Sequence, residues 1–169
     1  CLDPATGVLT RETEAQLLAS GVGSAPPSLE ALAGLAARSL SPTLATLPEI
    51  TSADCVFLAL HGGQGEDGTV QALFDMAGVR YTGSGHLASA LAMDKHLSKV
   101  VLRAAGVATA DWMMAPSPGA EPLSATDVGD TLGWPVVVKP SKQGSTVGLS
   151  IVRAPNELAP AIAEAFRFD

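Results

Sequence analysis

The chain has few of the residues that build disulfide frameworks, membrane spans or basic binding faces. It has two cysteines in 169 residues and no CxxC pair, which excludes a disulfide framework and predicts a reducing, cytoplasmic location. No run approaches the about 20 uncharged apolar residues of a membrane span, so no membrane partner is expected. Because 17 Asp and Glu outnumber 10 Lys and Arg, for a net charge of −7, nucleic acid is not expected as a partner either.

What the chain does contain is the composition of a folded protein with a sizeable core. Hydrophobic residues make up 47% of it, which excludes intrinsic disorder, and its length suits one domain or two small ones. Residues 54–60 carry a continuous apolar run, from Cys55 to Leu60, that predicts a strand buried on both faces. Cys55 lies inside this run and is expected to be a small buried hydrophobe.

Strand and helix patterns alternate along the middle of the chain. After the first strand come a glycine-rich loop at 61–68 and an amphipathic helix that ends at Gly78. A short strand at 80–82 follows, and then two further helices, the second of which ends at Gly106. This order is typical of a parallel α/β sheet.

The flanking segments have weaker patterns. Residues 1–27 are predicted to be irregular, and Ser28 is predicted to begin a helix that Pro42 ends. Residues 116–130 are rich in Pro, Ser and Asp and are expected to form a surface stretch. Asn156 is predicted to cap a final amphipathic helix.

The first glycine-rich loop matches the GxGxxG pattern of dinucleotide-binding folds, between a strand and a helix. Glu66 and Asp67, however, would place two carboxylates where a pyrophosphate must lie, which argues against NAD. An acidic loop that begins at His61 is better suited to a cationic or zwitterionic substrate, or to handling a proton. The spacing is equally consistent with a His61 that is hydrogen-bonded at the end of the strand.

The four lysines of the chain lie in two short segments, at Lys95 and Lys99 and at Lys139 and Lys142. Lysines of this kind belong either to a solvated face or to an anion site. The second pair adjoins a predicted hairpin whose loop, residues 141–148, is long for a simple hairpin.

This second loop has the chemistry of a phosphate site. It lacks the GKS or GKT ending of a P-loop, so a Walker-type NTPase is not expected. Its glycines allow backbone N–H groups to approach phosphate oxygens, and Ser145 and Thr146 add hydroxyl donors. Lys139, at the end of the preceding strand, calls for an anionic partner. The alternative is an ordinary polar hairpin with an exposed lysine.

Three motifs, taken together, resemble the D-alanine–D-alanine ligases, which are ATP-grasp enzymes. The first is LHGGQGEDGTVQ at residues 60–71, and the second runs from YTGSG at 81–85 to ASALAMDK at 88–95. The third is PVVVKP at 135–140 followed by GSTVG at 144–148, where Thr146 replaces the usual second Ser of the family. The motifs come in the family's order and cover about residues 54–155, whereas residues 1–50 carry no motif that aligns.

The resemblance implies a reaction and its reactants. ATP phosphorylates the carboxylate of one D-alanine, and the amine of a second D-alanine attacks the resulting acyl phosphate. The product, D-alanyl-D-alanine, is a precursor of peptidoglycan in the cell wall. The resemblance also implies Mg²⁺ or Mn²⁺ as cofactor and a homodimeric enzyme.

The resemblance also implies roles for individual residues. Lys95 and Lys139 correspond to the lysines that hold the nucleotide phosphates. His61 and Glu66 correspond to the pair near the first D-alanine, and Ser145 to the serine that fixes phosphate and substrate. The mobile loop that covers the phosphates corresponds to Gly144, Ser145, Thr146, Val147 and Gly148.

Two parts of the family pattern have no counterpart in these residues. Nothing before residue 50 supplies the glycine-rich segment whose glutamate binds the first D-alanine. The final third of the family fold, which carries the metal ligands, is also absent. We therefore expect more chain after Asp169 in the natural protein, no metal ligands among these residues, and no catalysis by this segment alone.

The predicted fold is α/β in two parts. Residues 1–92 are predicted to be an incomplete N-terminal domain with a parallel sheet. Residues 93–169 are predicted to be the small α+β ATP-grasp subdomain that carries the phosphate-covering loop. Two alternatives for function stay open: another ATP-grasp carboxylate–amine or carboxylate–hydroxyl ligase, such as a D-alanine–D-lactate ligase, and a non-catalytic nucleotide-binding module.

Overall fold

The computed structural model describes residues 1–3, 5–20 and 40–169. The chain forms two compact units, residues 1–87 and 88–169, and each is described by itself. Both contain helices and strands, which confirms the mixed class predicted from the sequence. The helix predicted after Ser28 lies outside the described residues. Within them, no helix is long and apolar enough to cross a membrane.

The first unit begins with regular structure that the sequence did not predict. Strands β1 (Leu2–Asp3) and β2 (Gly7–Val8) pair in antiparallel fashion. Helix α1 (Arg11–Ala19) follows, and its N-cap Thr10 accepts a hydrogen bond from the Thr13 N–H at 3.1 Å. The prediction of an irregular segment is therefore wrong here, because this cap stabilises a helix whose apolar pattern is weak.

The core of the first unit lies between short helical elements. These are a 3₁₀ turn at Leu44–Thr46 and helices α2 (Pro48–Thr51) and α3 (Thr69–Ala77). Gly78, in the left-handed conformation, ends α3 as predicted. The buried residues of this core are Leu44, Ala45, Ile50, Val70 and Phe74.

The run at 54–60 forms less sheet than the sequence predicts. It contributes a single parallel bridge, Val56 to Tyr81, in which the Val56 N–H donates to Arg80 O at 2.8 Å. In the described part of the chain the other strand pairs are antiparallel. The bridge has the sense expected for a parallel sheet, but it is one residue pair long.

This run is also buried on one face rather than two. Alternate side chains point to opposite sides of an extended segment. Val56, Leu58 and Leu60 pack against the core, whereas Phe57 is 77% exposed. The expectation that Cys55 is buried is wrong for the same reason, since it lies on the outer face and is exposed.

Asp75 of α3 connects three elements of the first unit. Its carboxylate accepts a hydrogen bond from the Tyr81 hydroxyl at 2.8 Å and lies 2.7 Å from His86 Nδ1. His86 is the first residue of α4 (His86–Met93). The hydrogen bond with His86, and then that from Tyr81, lowers the pKa of Asp75 below its ordinary value.

The second unit is built on the hairpin that the sequence predicted. Strand β3 (Val136–Val138) pairs with β4 (Ser150–Val152) in antiparallel register. Helix α5 (Lys95–Ala104) precedes the hairpin. The chain turns away after this helix at Gly106, whose φ is +75°. The buried residues of the unit's main core are Val128, Val152, Leu158 and Ala161.

Two local predictions for the second unit are wrong. Part of the expected surface stretch is helix α6 (Ala125–Leu132), because Ser124 caps it and Val128 is buried. Helix α7 (Leu158–Ala165) is preceded by a 3₁₀ turn at Pro155–Glu157. Asn156 therefore lies inside that turn, and the N-cap of α7 is Glu157, which makes no side-chain capping bond.

Candidate functional site

In the first unit, the loop at 61–68 brings His61 and Glu66 together. His61 Nδ1 lies 3.4 Å from Glu66 Oε1, and the exposed fraction of the His61 side chain is 85%. The other carboxylate oxygen of Glu66 accepts a hydrogen bond from the Gly62 N–H at 2.7 Å. His61 is therefore not an enclosed residue at a strand end. The pair presents an imidazole beside a carboxylate, which can receive the ammonium group of an amino acid.

The glycines of this loop let it fold back on itself. Gly62 has φ +75°, which an L side chain rarely adopts. A Cβ on Gly65 would lie 2.5 Å from Leu60 Cβ, so only glycine allows the chain to pass so close. Asp67 accepts a hydrogen bond from the Thr69 N–H at 2.9 Å, so a carboxylate already occupies the start of α3. This arrangement agrees with the argument against a dinucleotide pyrophosphate.

In the second unit, Lys95 ties the first turn of α5 to the glycine-rich loop between β3 and β4. Its ammonium donates to Ser141 O at 3.0 Å and to Gln143 O. Burial lowers the pKa of Lys95, and the charge of Lys139 lowers it further, against the opposite effects of Asp169 and Asp94. A bound anion would reverse this effect, because it favours the charged ammonium.

Asp94 is a site residue that the sequence analysis did not single out. As the N-cap of α5, its carboxylate accepts hydrogen bonds from the Leu97 N–H at 3.0 Å and from the Ser141 hydroxyl at 3.2 Å. The bond from Leu97, and then that from Ser141, lowers the pKa of Asp94, against the opposing effect of burial. The signal that could have identified it is an Asp immediately before an amphipathic helix.

The loop itself presents its polar groups to solvent. Ser145 and Thr146 are exposed, whereas Gly144, Val147 and Gly148 are partly buried. Ser145 has φ +53°, and it is the one non-glycine residue with positive φ in the described part of the chain. Its hydroxyl is therefore held on a turn of unusual backbone shape.

Lys139 directly follows β3 and is exposed. Among the described residues, no hydrogen bond or ion pair engages its ammonium. An open cavity of about 490 Å³ lies beside it in the same unit. Both Lys95 and Lys139 line this cavity, together with apolar residues that include Met113, Val136, Val138 and Leu158. Such a cavity is suited to a ligand with an apolar ring and an anionic group.

Trp112 forms part of the cavity wall. Its Nε1–H donates to His96 Nδ1 at 2.9 Å. The Lys99 ammonium lies 5.3 Å and the Arg103 guanidinium 4.4 Å from the ring centroid, both within cation–π range. The indole is thus fixed by three neighbours from α5.

The described ranges contain no group of three or more His, Cys, Asp or Glu that could hold a metal ion. These residues by themselves therefore supply no ligand set for the Mg²⁺ or Mn²⁺ that the sequence resemblance implies.

Family models and known proteins give a consistent comparison. The model described as D-ala D-ala ligase N-terminus matches residues 10–84, and that described as D-ala D-ala ligase C-terminus matches residues 101–169. A D-alanine–D-alanine ligase of Geobacter sulfurreducens is 48% identical over 116 residues, which are 69% of this chain and 35% of that protein. One from Paracidovorax citrulli is 43% identical over 139 residues, which are 80% of this chain and 40% of that protein.

Solved structures agree with the sequence relatives. The D-alanine-D-alanine ligase of Coxiella burnetii superposes with a TM-score of 0.65 at 38% identity, covering 70% of this chain and 35% of that one. The VanG D-Ala:D-Ser ligase of Enterococcus faecalis gives 0.62 at 35% identity, covering 69% and 34%. The chain spans 33–40% of the length of the curated relatives it matches.

Proposed function

Because the chain belongs to the D-alanine–D-alanine ligase family, we propose that its residues serve the ATP-dependent joining of two D-alanines. The observation that carries this proposal is the cavity of the second unit, where Lys95 and Lys139 lie beside the glycine-rich loop. A triphosphate supplies the anion that the unpaired Lys139 lacks. The apolar walls of the cavity suit the adenine ring.

The reaction proceeds in two steps. The carboxylate of the first D-alanine attacks the γ-phosphorus of ATP, which forms D-alanyl phosphate and releases ADP. The amine of the second D-alanine then attacks the acyl carbon, the amide bond forms, and phosphate leaves as the amine gives up its proton. The product, D-alanyl-D-alanine, feeds peptidoglycan synthesis.

The residues of each unit have separate parts in this scheme. In the first unit, Glu66 and His61 receive the ammonium of the first D-alanine. In the second, Lys95 and Lys139 neutralise phosphate charge as it moves to the leaving group. The loop Gly144–Gly148 covers the phosphates, and Ser145 donates its hydroxyl to a phosphate oxygen.

The finer fold assignment is part of the same proposal. The first unit is the substrate-side domain, to which the parallel bridge of Val56 and Tyr81 contributes. The second unit is the small ATP-grasp subdomain with its phosphate-covering loop. We further propose that the protein is a cytoplasmic homodimer, as its membership of this family implies.

Removal of the Lys139 charge tests the nucleotide site. In the protein as its organism makes it, Lys139→Ala should lower kcat/KM for ATP by roughly a hundredfold, measured as D-alanine-dependent phosphate release. Arg153→Ala is the matched control, because it removes an exposed cation of the same unit that does not line the cavity. Undiminished turnover in the Lys139 variant would remove that residue from the proposal.

The second substrate and the contribution of this segment need their own measurements. A screen of D-alanine, D-serine and D-lactate as second substrate separates the main proposal from the D-Ala:D-Ser activity named for VanG and from a D-lactate ligase. For the 169-residue chain by itself we expect only weak ATP binding. Micromolar or tighter binding by calorimetry would contradict that expectation.

A further inference from the structure

Gln71 has an incomplete set of hydrogen bonds. It lies in the first turn of α3 and is only 6% exposed. Its Nε2 donates to the carbonyl oxygen of Gly65 at 3.1 Å, whereas its Oε1 is buried and has no partner among the described residues. Buried polar atoms are normally paired, so this glutamine requires an explanation.

The orientation of this amide is determined by the loop. The Gly65 carbonyl can only accept, so the amide nitrogen must face it. A flipped amide would place two acceptors face to face. The unmet oxygen is therefore the consequence of holding Gly65. An apolar side chain of the same shape would avoid it, but would leave the Gly65 carbonyl without its donor. What the glutamine secures, with its own oxygen left unpaired, is the position of this carbonyl.

The carbonyl that Gln71 holds belongs to the peptide bond joining Gly65 to Glu66. This backbone is also pressed against Leu60, since a Cβ on Gly65 would lie 2.5 Å from Leu60 Cβ. The hydrogen bond to the carbonyl and the close approach to Leu60 thus both restrain the peptide from which the Glu66 side chain extends. Glu66 in turn reaches His61 and the Gly62 N–H.

We propose that Gln71 is a positioning residue that holds the Glu66 carboxylate, and through it His61, in place for the ammonium of the first D-alanine. This inference rests on the proposed ligase function. It predicts a defect confined to the amino-acid substrate, because the side-chain hydrogen bond described for Gln71 runs to the acidic loop of the first unit.

Gln71→Met is the first test, in the protein as its organism makes it. Methionine has a similar length but neither donates nor accepts strongly. It removes the unpaired oxygen and also leaves the Gly65 carbonyl without a donor, so the thermal midpoint of the folded protein should change little. The KM for the first D-alanine should rise by roughly tenfold while the KM for ATP stays unchanged. Gln16→Met, on the exposed face of α1, is the matched control and should change neither constant.

Gln71→Glu adds a signature that a purely structural role would not produce. An ionised carboxylate cannot donate to the Gly65 carbonyl, whereas a protonated carboxyl can. The D-alanine KM of this variant should therefore fall toward the unsubstituted value as the pH is lowered, relative to the unsubstituted protein. This variant also keeps the proposal testable if Gln71→Met does not fold.

A double-mutant comparison identifies the residue through which Gln71 acts. If Gln71 works through Glu66, the effects of Gln71→Met and Glu66→Ala on the D-alanine KM should be strongly non-additive. Additive effects, an equal rise in both KM values, or a folded Gln71→Met with an unchanged D-alanine KM would each overturn this inference alone. No D-alanine-dependent phosphate release by the unsubstituted protein would instead overturn the proposed function, and this inference with it.

Discussion

The carboxylate of Asp94 accepts a hydrogen bond from the hydroxyl of Ser141 at 3.2 Å, across 47 positions of the chain. The same carboxylate oxygen caps α5 through the Leu97 N–H. Lys95, the next residue, donates its own backbone N–H to Ser141 O at 3.1 Å. Hydrogen bonds therefore hold the start of α5 against the start of the glycine-rich loop between β3 and β4.

Asp94→Ala should weaken both the fold and the nucleotide site. Loss of the cap should lower the free energy of unfolding by about 1 kcal/mol. Release of Ser141 should also raise the KM for ATP, because Lys95 and the loop lose a shared anchor. The measurements are urea denaturation and steady-state kinetics.

Ser124→Ala is the matched control for this cap. Ser124 caps α6 through the Thr126 and Asp127 N–H groups, and these side-chain hydrogen bonds stay within its own helix rather than reaching the loop. It should cost similar stability and leave the KM for ATP unchanged. An equal rise of that KM in both variants would show that the Asp94 effect is merely a loss of stability.

The hydrogen bonds of Asp75 with Tyr81 and His86 predict a contribution to stability that is lost in acid. Because the pKa of Asp75 is lowered in the folded state, its contribution is present above the ordinary value of 3.8 and is lost as the pH falls through the folded-state value. The stability difference between the unsubstituted protein and Asp75→Asn should therefore be largest near neutral pH and vanish in acid. Urea denaturation from pH 6 down to about 2 measures it, and a difference independent of pH would refute the assignment.

Gly65→Ala should disturb the acidic loop through a steric clash. The added methyl would lie 2.5 Å from Leu60 Cβ, so the loop must shift. Overpacking of this kind costs about 1–3 kcal/mol. Gly85→Ala should be nearly neutral, since the nearest atom is the Tyr81 hydroxyl oxygen at 3.9 Å. Equal denaturation midpoints for the two variants would contradict the close contact.

The Ser145 hydroxyl and the Ser145 backbone can be separated by two variants. Ser145→Gly removes the hydroxyl and accepts φ +53° without strain, whereas Ser145→Ala removes the hydroxyl and keeps the strain. If the hydroxyl binds phosphate, both should lose at least about tenfold in kcat/KM for ATP, since a hydrogen bond to a charged group is worth about 1.5–3 kcal/mol. A glycine variant that keeps full activity would show that only the loop shape matters.

Local signals predicted much of the fold. An apolar stripe followed by glycine located the end of α3, and two β-branched runs around a polar loop located the hairpin. The run at 54–60 was predicted to be buried on both faces, but only one face is buried. A continuous apolar stretch does not reveal whether other elements pack on one side of it or on both. Helix α1 was missed since its stability depends on the Thr10 cap rather than on an apolar face.

The sequence names candidate site residues but not the contacts between them. Its motifs single out Lys95, Lys139 and the pair of His61 and Glu66 as candidates. The bonds from Lys95 to the carbonyls of Ser141 and Gln143 join residues 46 and 48 positions apart, and no local pattern encodes them. Gln71 is the last residue of the motif at 60–71. That its amide is buried, with its oxygen unpaired, could be seen only in the packed structure.

Trp112 gives this protein an optical probe of its own cavity. The chain has two tryptophans, and the other, Trp134, packs against the core formed around Val128. The Trp112 indole lies on the cavity wall, beside two cations and hydrogen-bonded to His96. Its fluorescence emission therefore depends on the local field and on solvent access to the ring. Occupancy of the cavity can be followed by intrinsic fluorescence, with no dye attached and no turnover required.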